Sequence, residues 1–289
     1  MIVTFLDVVI AGLILGGLYA LIAMGLSLQY GVARVLNVAH GEFIMLGGLT
    51  TWTLYTVFHI NPLVAIVICG PLAFVLGFIL HRTLFKRLLS SSASPGIFES
   101  NSMLASFGLL FIIQNIAMIG WSPKIRGYSY LAFPVDIGGA LFGANRLVTM
   151  AFALIIGIGF YLFLARTRIG KAIRAAAQDP TTAGLMGVNI NLVLAICFGL
   201  GAAMAGIAGA LISVSYPVNA AMGLEYTVIA IIVVVLGGMG SIPGSFIGGF
   251  ILGIIGSIVT YFDVSLALAT YYIIFIVLLL VRPKGILGK

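Results

Sequence analysis

Long apolar stretches without a charged side chain recur along the whole chain, and short polar segments separate them. They cover residues 8–33, 43–80, 104–121, 147–165, 192–214, 226–262 and 266–281. A bilayer core about 30 Å thick takes roughly 20 apolar residues in a helix, so stretches of this length are typical of membrane crossings. The pattern predicts an all-α polytopic membrane protein.

Two of the stretches are long enough for two spans each. His59-Ile60-Asn61-Pro62 divides residues 43–80, and the Gly-rich segment 237–244 divides residues 226–262. The second stretch predicts either two short crossings or a re-entrant loop, and we favour two crossings. The expectation is therefore about 8–9 transmembrane helices, with Gly-interrupted, discontinuous helices near residues 34–47 and 237–244.

Basic residues mark the cytoplasmic side of a membrane protein. An alternating count of spans puts eleven of the 14 basic residues on one side: Arg34, Arg82, Lys86, Arg87, Arg166, Arg168, Lys171, Arg174, Arg282, Lys284 and Lys289. This count gives nine crossings with the N-terminus outside. A position of Arg34 within the membrane would instead put the N-terminus inside and make the count even.

Composition excludes several other classes of protein. Charged residues make up 7% of the chain, far fewer than the roughly 25% of a soluble domain, and hydrophobic residues make up 62%. These values exclude a soluble enzyme, a disordered chain and a secreted disulfide scaffold. The net charge of +7 does not indicate nucleic acid, because the basic residues lie between apolar runs rather than along one stripe.

Motifs that carry catalysis are absent from the sequence. It has no phosphate-binding G-x-x-x-x-G-K-[ST] loop, no H-E-x-x-H zinc pair and no G-x-S-x-G nucleophile elbow. The histidines at positions 40, 59 and 81 lack the spacing of metal ligands. The sequence therefore predicts a protein that is not an enzyme and that binds no metal or cofactor itself.

The most informative segment places four strongly polar residues between apolar stretches: Arg34, Asn37, His40 and Glu42. Ionisable groups inside a bilayer are costly and usually pair or line a path. One helical stripe cannot hold all four at about 100° per residue, and Gly41 offers a break. The segment predicts a transport site in a discontinuous helix, or alternatively a short cytoplasmic turn.

Two other places supply further candidates for the substrate path. Gly238, Gly240 and Ser241 allow the chain to bend and to present backbone groups. Gln114 and Asn115 are neutral polar residues in the middle of the fourth span, where hydrogen bonding between helices is their default role.

The predicted inside loop 166–190 has more helical signal than a linker needs. Its first half is a good helix former, and Asp179 followed by Pro180 is typical of an N-cap and the first position of a second short helix. Gly187 would end that helix, and Asn191 would cap the sixth span. Two short surface helices favour a docking site for a cytoplasmic protein, although a plain positive-inside loop explains the basic residues as well.

Five segments together resemble one family. Residues 34–47 (RVLNVAHGEFIMLG) resemble the INFAHGE signature of permease subunits of branched-chain amino acid ABC importers, the LivH type. Residues 105–109 with Gln114, the loop 170–187, residues 235–244 and residues 281–285 resemble the family in the same order. The resemblance covers nearly the whole chain.

The resemblance implies a single transmembrane permease domain, residues 1–289, in the cytoplasmic (inner) membrane of a bacterium or archaeon. It implies a second, related permease subunit, two cytoplasmic subunits that bind ATP and Mg²⁺, and an external binding protein facing the extracytoplasmic loop 122–146. Segment 166–190 would couple to the ATPase through Gly170, Lys171, Arg174, Ala175, Asp179, Pro180 and Gly187.

The implied function is import of a branched-chain amino acid by alternating access. Relatives also carry urea or short amides, so the resemblance leaves the substrate open between these classes. A different class of function is an autonomous secondary transporter or channel, in which Glu42 and His40 would relay protons.

Overall fold

The computed structural model describes residues 2–282 and 284–287, and most of them are helical. The elements are α1 (Ile2–Ala33), α2 (His40–Thr56), α3 (Pro62–Leu80), a π-helical turn (His81–Phe85), α4 (Lys86–Ser91), α5 (Pro95–Trp121), β1 (Pro134–Ile137), β2 (Ala140–Gly143), α6 (Ala144–Arg166), α7 (Arg168–Gln178), α8 (Pro180–Leu185), α9 (Ile190–Ser215), α10 (Gly223–Gly237), α11 (Ile242–Phe262) and α12 (Leu266–Val281).

Every predicted span contains a helix. Six helical stretches are long and apolar enough to cross a membrane: α1, α3 with α4, α5, α6, α9 and α11. The other three helices in predicted spans, α2, α10 and α12, have 17, 15 and 16 residues. The protein is therefore a helical multi-pass membrane protein, and the number of complete crossings stays a prediction.

A small β-hairpin departs from the all-α expectation. Strands β1 and β2 pair antiparallel across a Gly138-Gly139 turn, in which both glycines have positive φ angles of +64° and +90°. Both central residues of a type I′ turn need such angles. Asp136 supports the turn by accepting a hydrogen bond from the Gly139 N–H at 2.7 Å. The hairpin was missed because its strands have only four residues each.

Helices α1 and α9 form the centre of the bundle. Helix α1 packs along α9 and α11, and α9 packs along α2 and α3. Glycines make these contacts close: a Cβ on Gly209 of α9 would lie 1.9 Å from the Ile44 carbonyl oxygen of α2. Association of helices in lipid relies on such close packing, because lipid tails are as apolar as the helices themselves.

The loops gather at two ends of the bundle. At one, which we call the α7 end, Arg34, helix α7 and the turn 239–243 surround a common cavity. At the other, the hairpin end, Arg126 and Val218 exchange two backbone hydrogen bonds of 2.8 Å. The ring of Tyr55, at the end of α2, lies 4.6 Å from that of Tyr128 at this same end.

Helices α2 and α10 begin inside the bundle rather than at its ends. The His40 Nε2 atom lies 3.1 Å from the Ile22 carbonyl oxygen, whereas α1 continues to Ala33, about 16 Å further at 1.5 Å per residue. Gly223, the first residue of α10, packs on Gly41, where a Cβ would lie 1.7 Å from the Gly223 carbonyl oxygen. From this shared level α2 runs to the hairpin end and α10 runs to the α7 end.

Gly209→Ala should destabilise the protein, because the new methyl group would collide with the Ile44 carbonyl oxygen. Overpacking a dense core costs about 1–3 kcal/mol. Gly108 of α5 is a matched control, since no atom lies within 4 Å of a Cβ built there. Gly108→Ala should be neutral or stabilising by up to about 1 kcal/mol, because alanine favours the helix. Thermal unfolding in detergent measures both variants, and equal melting temperatures would contradict the close contact.

Candidate functional site

Polar side chains supply hydrogen-bond partners for the end of the linker 34–39, at Val38 and Ala39, where the chain is not helical. Ser106 of α5 accepts a hydrogen bond from the Val38 N–H at 3.1 Å, and Thr227 of α10 donates one to the Val38 carbonyl oxygen at 3.0 Å. The Asn37 side chain accepts a third hydrogen bond, from the Ala39 N–H at 3.1 Å. Non-helical backbone at membrane depth is tolerated only where protein groups satisfy it in this way.

The starts of α2 and α10 enclose a carboxylate. Thr227 accepts a hydrogen bond from the Gly41 N–H at 2.8 Å, which ties the first turn of α2 to α10. Glu42 is fully buried in that turn, and a Cβ on Gly223 would lie 2.3 Å from its Oε1 atom. Neither carboxylate oxygen has a hydrogen-bond partner among the described residues. The positive ends of the two helix dipoles therefore lie next to this group and favour its negative charge.

Asn37 and His40 are buried between α1, α2 and α9. The Asn37 amide donates to Gln29 Oε1 at 3.4 Å, and Gln29 in turn donates to the Phe198 carbonyl oxygen of α9 at 3.0 Å. His40 contacts the Ile22 carbonyl oxygen of α1. These side chains therefore hold the start of α2 against the two central helices.

A cavity of about 620 Å³ lies at the α7 end. Its walls come from the last turns of α1 and α6, from α7 and from the turn between α10 and α11. It brings together Arg34, Gly240 and Ser241 of the predicted substrate path with Arg174 of the predicted coupling segment. Asn37, His40 and Glu42 are not among its lining residues.

The other candidates for the path lie elsewhere. Asn115 is exposed on α5 and donates to the Phe111 carbonyl oxygen of its own helix at 2.8 Å, and Gln114 beside it is half-buried. Gly238, with φ of +102°, ends α10 and packs against Gly285. The structure thus separates the nine candidates into the α2–α10 junction, the cavity, the end of α10 and the surface of α5.

Helix α7 is anchored to the end of α6, and an aspartate caps α8. Arg174 donates to the Leu164 carbonyl oxygen at 2.5 Å, and Gly170 packs on the same residue. Asp179 is the N-cap of α8, whose first residue is Pro180. The side-chain and backbone hydrogen bonds that Thr182 donates to Asp179 hold the pKa of this carboxyl below its usual value.

The end of the segment differs from the expectation in one detail. Gly187 has a φ of +87°, the left-handed conformation expected after a helix end. The prediction that Asn191 caps the next helix is wrong, because Asn189 accepts the hydrogen bond from the Leu192 N–H at 3.1 Å. Two asparagines stand close together here, and α9 begins directly after the first.

Comparison of the sequence with known proteins shows the family of this chain. The family described as the permease component of the branched-chain amino acid transport system matches residues 8–282. The chain belongs to this family. The resemblance carried by residues 34–47 and the four other segments is confirmed, and members of the family are permease subunits of ABC transporters rather than enzymes, with the ATPase on partner subunits.

Named relatives align with almost all of this permease. It is 31% identical to the high-affinity branched-chain amino acid transport system permease protein LivH of Salmonella typhimurium, and 28% identical to BraD of Pseudomonas aeruginosa. Both alignments cover 99% of this chain and 96% of the relative. An archaeal relative, the probable LivH of Methanocaldococcus jannaschii, is 29% identical over 96% of this chain and 90% of its own length.

Three supporting residues were not among the sequence candidates: Gln29, Ser106 and Thr227. Ser106 lies in segment 105–109, one of the five that resemble the family, so a signal for it existed. Gln29 and Thr227 are single polar residues in apolar runs. Such residues usually face the bundle interior, but their partners depend on contacts distant in the sequence.

Thr227→Val should destabilise the permease by about 1–3 kcal/mol, because the Gly41 N–H and the Val38 carbonyl oxygen would lose a buried partner. Thr227→Ser keeps the hydroxyl and should retain most of the stability. Thermal unfolding of the two variants in one detergent is the measurement. A valine variant as stable as the serine variant would show that this hydroxyl does not join α2 to α10.

Proposed function

We propose that this permease is a membrane-spanning subunit of an ATP-driven importer and carries a branched-chain amino acid into the cytoplasm by alternating access. The observation that carries the proposal is the family match over residues 8–282, together with nearly full-length relatives whose names specify branched-chain amino acid transport. ATP and Mg²⁺ would bind to partner subunits. The location is then the cytoplasmic membrane of the cell.

The positions of the loops support a nine-pass topology with the N-terminus outside. Arg34, Arg174, the α10–α11 turn and Leu287 line one cavity, as expected if all of them face the cytoplasm. Residues 122–146 lie at the opposite end. Helices α2 and α10 would then each cross only part of the bilayer, as the short, broken helices of other transporters do.

The α7–α8 segment has the properties of a docking site for an ATPase subunit. Arg174 and Gly170 fix it to the end of α6. Its outer surface presents two large apolar side chains, Leu185 and Met186, which are 84% and 82% exposed. Exposed apolar side chains at the tip of a rigidly anchored segment fit a partner protein better than they fit water.

Further partners follow from the family. A second permease subunit is supported by a relative of this chain, the probable permease protein LivM of Methanocaldococcus jannaschii, which is 25% identical over 80% of this chain. The exposed apolar faces of α3 and α5 offer surface for such a subunit or for lipid. An external binding protein would deliver the substrate to the hairpin end, near loop 122–146.

The candidates for the substrate path have two roles in this proposal. Arg34, Gly240 and Ser241 border the exit at the cytoplasmic end. Asn37, His40 and Glu42 brace the start of α2 beside α10, so they set the position of two short helices without lining the cavity. Urea or a short amide remains an alternative cargo for the same machinery.

Reconstitution of the whole transporter distinguishes the importer from an autonomous carrier. The permease is purified with its ATPase subunits and placed in vesicles with the external binding protein and labelled leucine. Uptake should require ATP and the binding protein, should resist a protonophore, and should be absent with this permease alone. Leucine uptake by the permease alone that a protonophore abolishes would refute the proposal. Parallel assays with urea and acetamide test the alternative cargo.

Impermeant thiol labelling tests both topology and docking. Lys171→Cys on α7 should react only from the cytoplasmic side of vesicles, and bound ATPase should protect it at least about tenfold, because a docked surface excludes reagent. Leu141→Cys on the hairpin, 68% exposed, should react only from the outside and without protection. The native Cys69 and Cys197 are buried. Labelling of both positions from one side would be incompatible with the topology.

A further inference from the structure

The cavity at the α7 end has an unbalanced charge. Two arginines, Arg34 and Arg174, line it, and no acidic residue is among the described residues that do. The Arg34 guanidinium lies 5.9 Å from the centre of the Tyr30 ring. Arg174 uses one N–H of its five on the Leu164 carbonyl oxygen, which leaves further donors available.

Neutral donors surround the same space. Ser27 of α1 lines the cavity, is fully buried, and its hydroxyl has no hydrogen-bond partner among the described residues. Ser241 and Ile242, at the N-terminal end of the 21-residue helix α11, also line it. The start of a helix carries positive partial charge, although here the Ser241 hydroxyl accepts the Gly244 N–H and Pro243 has no N–H to donate. Two guanidinium groups and a helix start thus border one cavity, and an unpartnered buried hydroxyl lies in its wall.

The two guanidinium groups of the cavity favour an anion over a zwitterion. A zwitterionic amino acid would bring an ammonium group next to two guanidinium groups, with no carboxylate in the lining to compensate it. A phosphate group has no such positive charge and offers several acceptor oxygens, which match the fork of an arginine side chain. In the proposed importer the cargo only passes this cavity on its way out, whereas a phosphate matches its two arginines as a bound ligand.

The surroundings of the cavity favour a lipid as the source of the phosphate. Tyr161 of α6 lines the cavity and is 47% exposed. The outward face of α6 continues with Ile158 and Leu162, which are 50% and 43% exposed. Basic pockets between transmembrane helices on the cytoplasmic side suit anionic lipid headgroups, and an apolar helix face beside one offers contact for acyl chains.

We propose that the cavity bounded by Arg34, Arg174, Ser27 and the start of α11 is a binding site for a phosphate group, carried by an anionic phospholipid or as free phosphate. A bound phosphate would bridge α1, α7 and α11. Because α7 is the segment that the ATPase would contact, occupancy would tie that segment to the core of the permease.

Native mass spectrometry of the assembled transporter tests the site. The complex is purified from membranes, exchanged into a neutral detergent, and supplied with phosphatidylglycerol, phosphatidylcholine or inorganic phosphate. Phosphatidylglycerol should remain bound to the wild type and should be lost about tenfold more readily from Arg34→Gln and from the double variant Arg34→Gln with Ser27→Ala. Arg87→Gln removes an exposed arginine from α4, outside the cavity, and should retain the lipid.

The outcomes separate the two sources of phosphate and the possible failures. Lipid that persists while millimolar phosphate is added identifies a headgroup site, and binding of inorganic phosphate without lipid identifies a free-phosphate site. Equal retention of phosphatidylglycerol and phosphatidylcholine, or equal retention by wild type and both cavity variants, would overturn the proposal. Thermal unfolding of each variant establishes that it is folded, and binding is read without any transport assay, so the result does not depend on the identity of the cargo.

Discussion

The arrangement depends on the contact between the starts of α2 and α10. In a bilayer every backbone polar group needs a partner from the protein, because lipid supplies none. In the linker 34–39, Thr227 supplies the partner of the Val38 carbonyl oxygen, beside the hydrogen bonds of Ser106 and Asn37. Thr227 also accepts from the Gly41 N–H, and glycines at 41 and 223 let the two backbones approach closely there. The Thr227 hydroxyl, together with the lack of a side chain at Gly41 and Gly223, thus helps two helices to begin at membrane depth.

The same demand for small side chains explains why the centre and the periphery of the bundle differ. Helices α1 and α9 carry several glycines at contacts where an added Cβ would collide with a neighbouring backbone, as at Gly25 and Gly209. Helix α5 carries glycines at 108 and 120 that meet nothing within 4 Å. Glycine content alone therefore does not distinguish a packed helix from a peripheral one; the distinction comes from which glycines face a partner.

Sequence reasoning located a helix in every predicted span, because apolar length is a local property. It expected a break at Gly41, whereas Gly41 lies in the first turn of α2 and the non-helical linker precedes it at residues 34–39. Discontinuous membrane crossings near residues 34–47 and 237–244 stay a prediction. It did not foresee that the first break is divided between two places: Arg34 lines the cavity together with Ser241 of the second break, whereas Glu42 contacts Gly223 of α10. Such a division depends on how far the chain turns back beside α1, and no local pattern encodes that distance. The Asn189 cap was missed for a related reason, since two nearby asparagines have the same capping propensity.

Helix α10 extends from the Glu42–Gly223 contact to the cavity at the α7 end. It ends at the turn 238–241, which contacts Gly31 of α1 and borders the cavity that Arg174 of α7 also lines. It begins at Gly223 beside Glu42, about 21 Å away at 1.5 Å per residue. The two ends of this one helix therefore border the cavity and the junction with α2. The start of each short helix carries positive partial charge, and the Glu42 carboxyl group lies between these two starts. The approach of Gly41 to the Gly223 carbonyl oxygen leaves no space there for a larger side chain, so the same contact that joins α2 to α10 also encloses the carboxyl group.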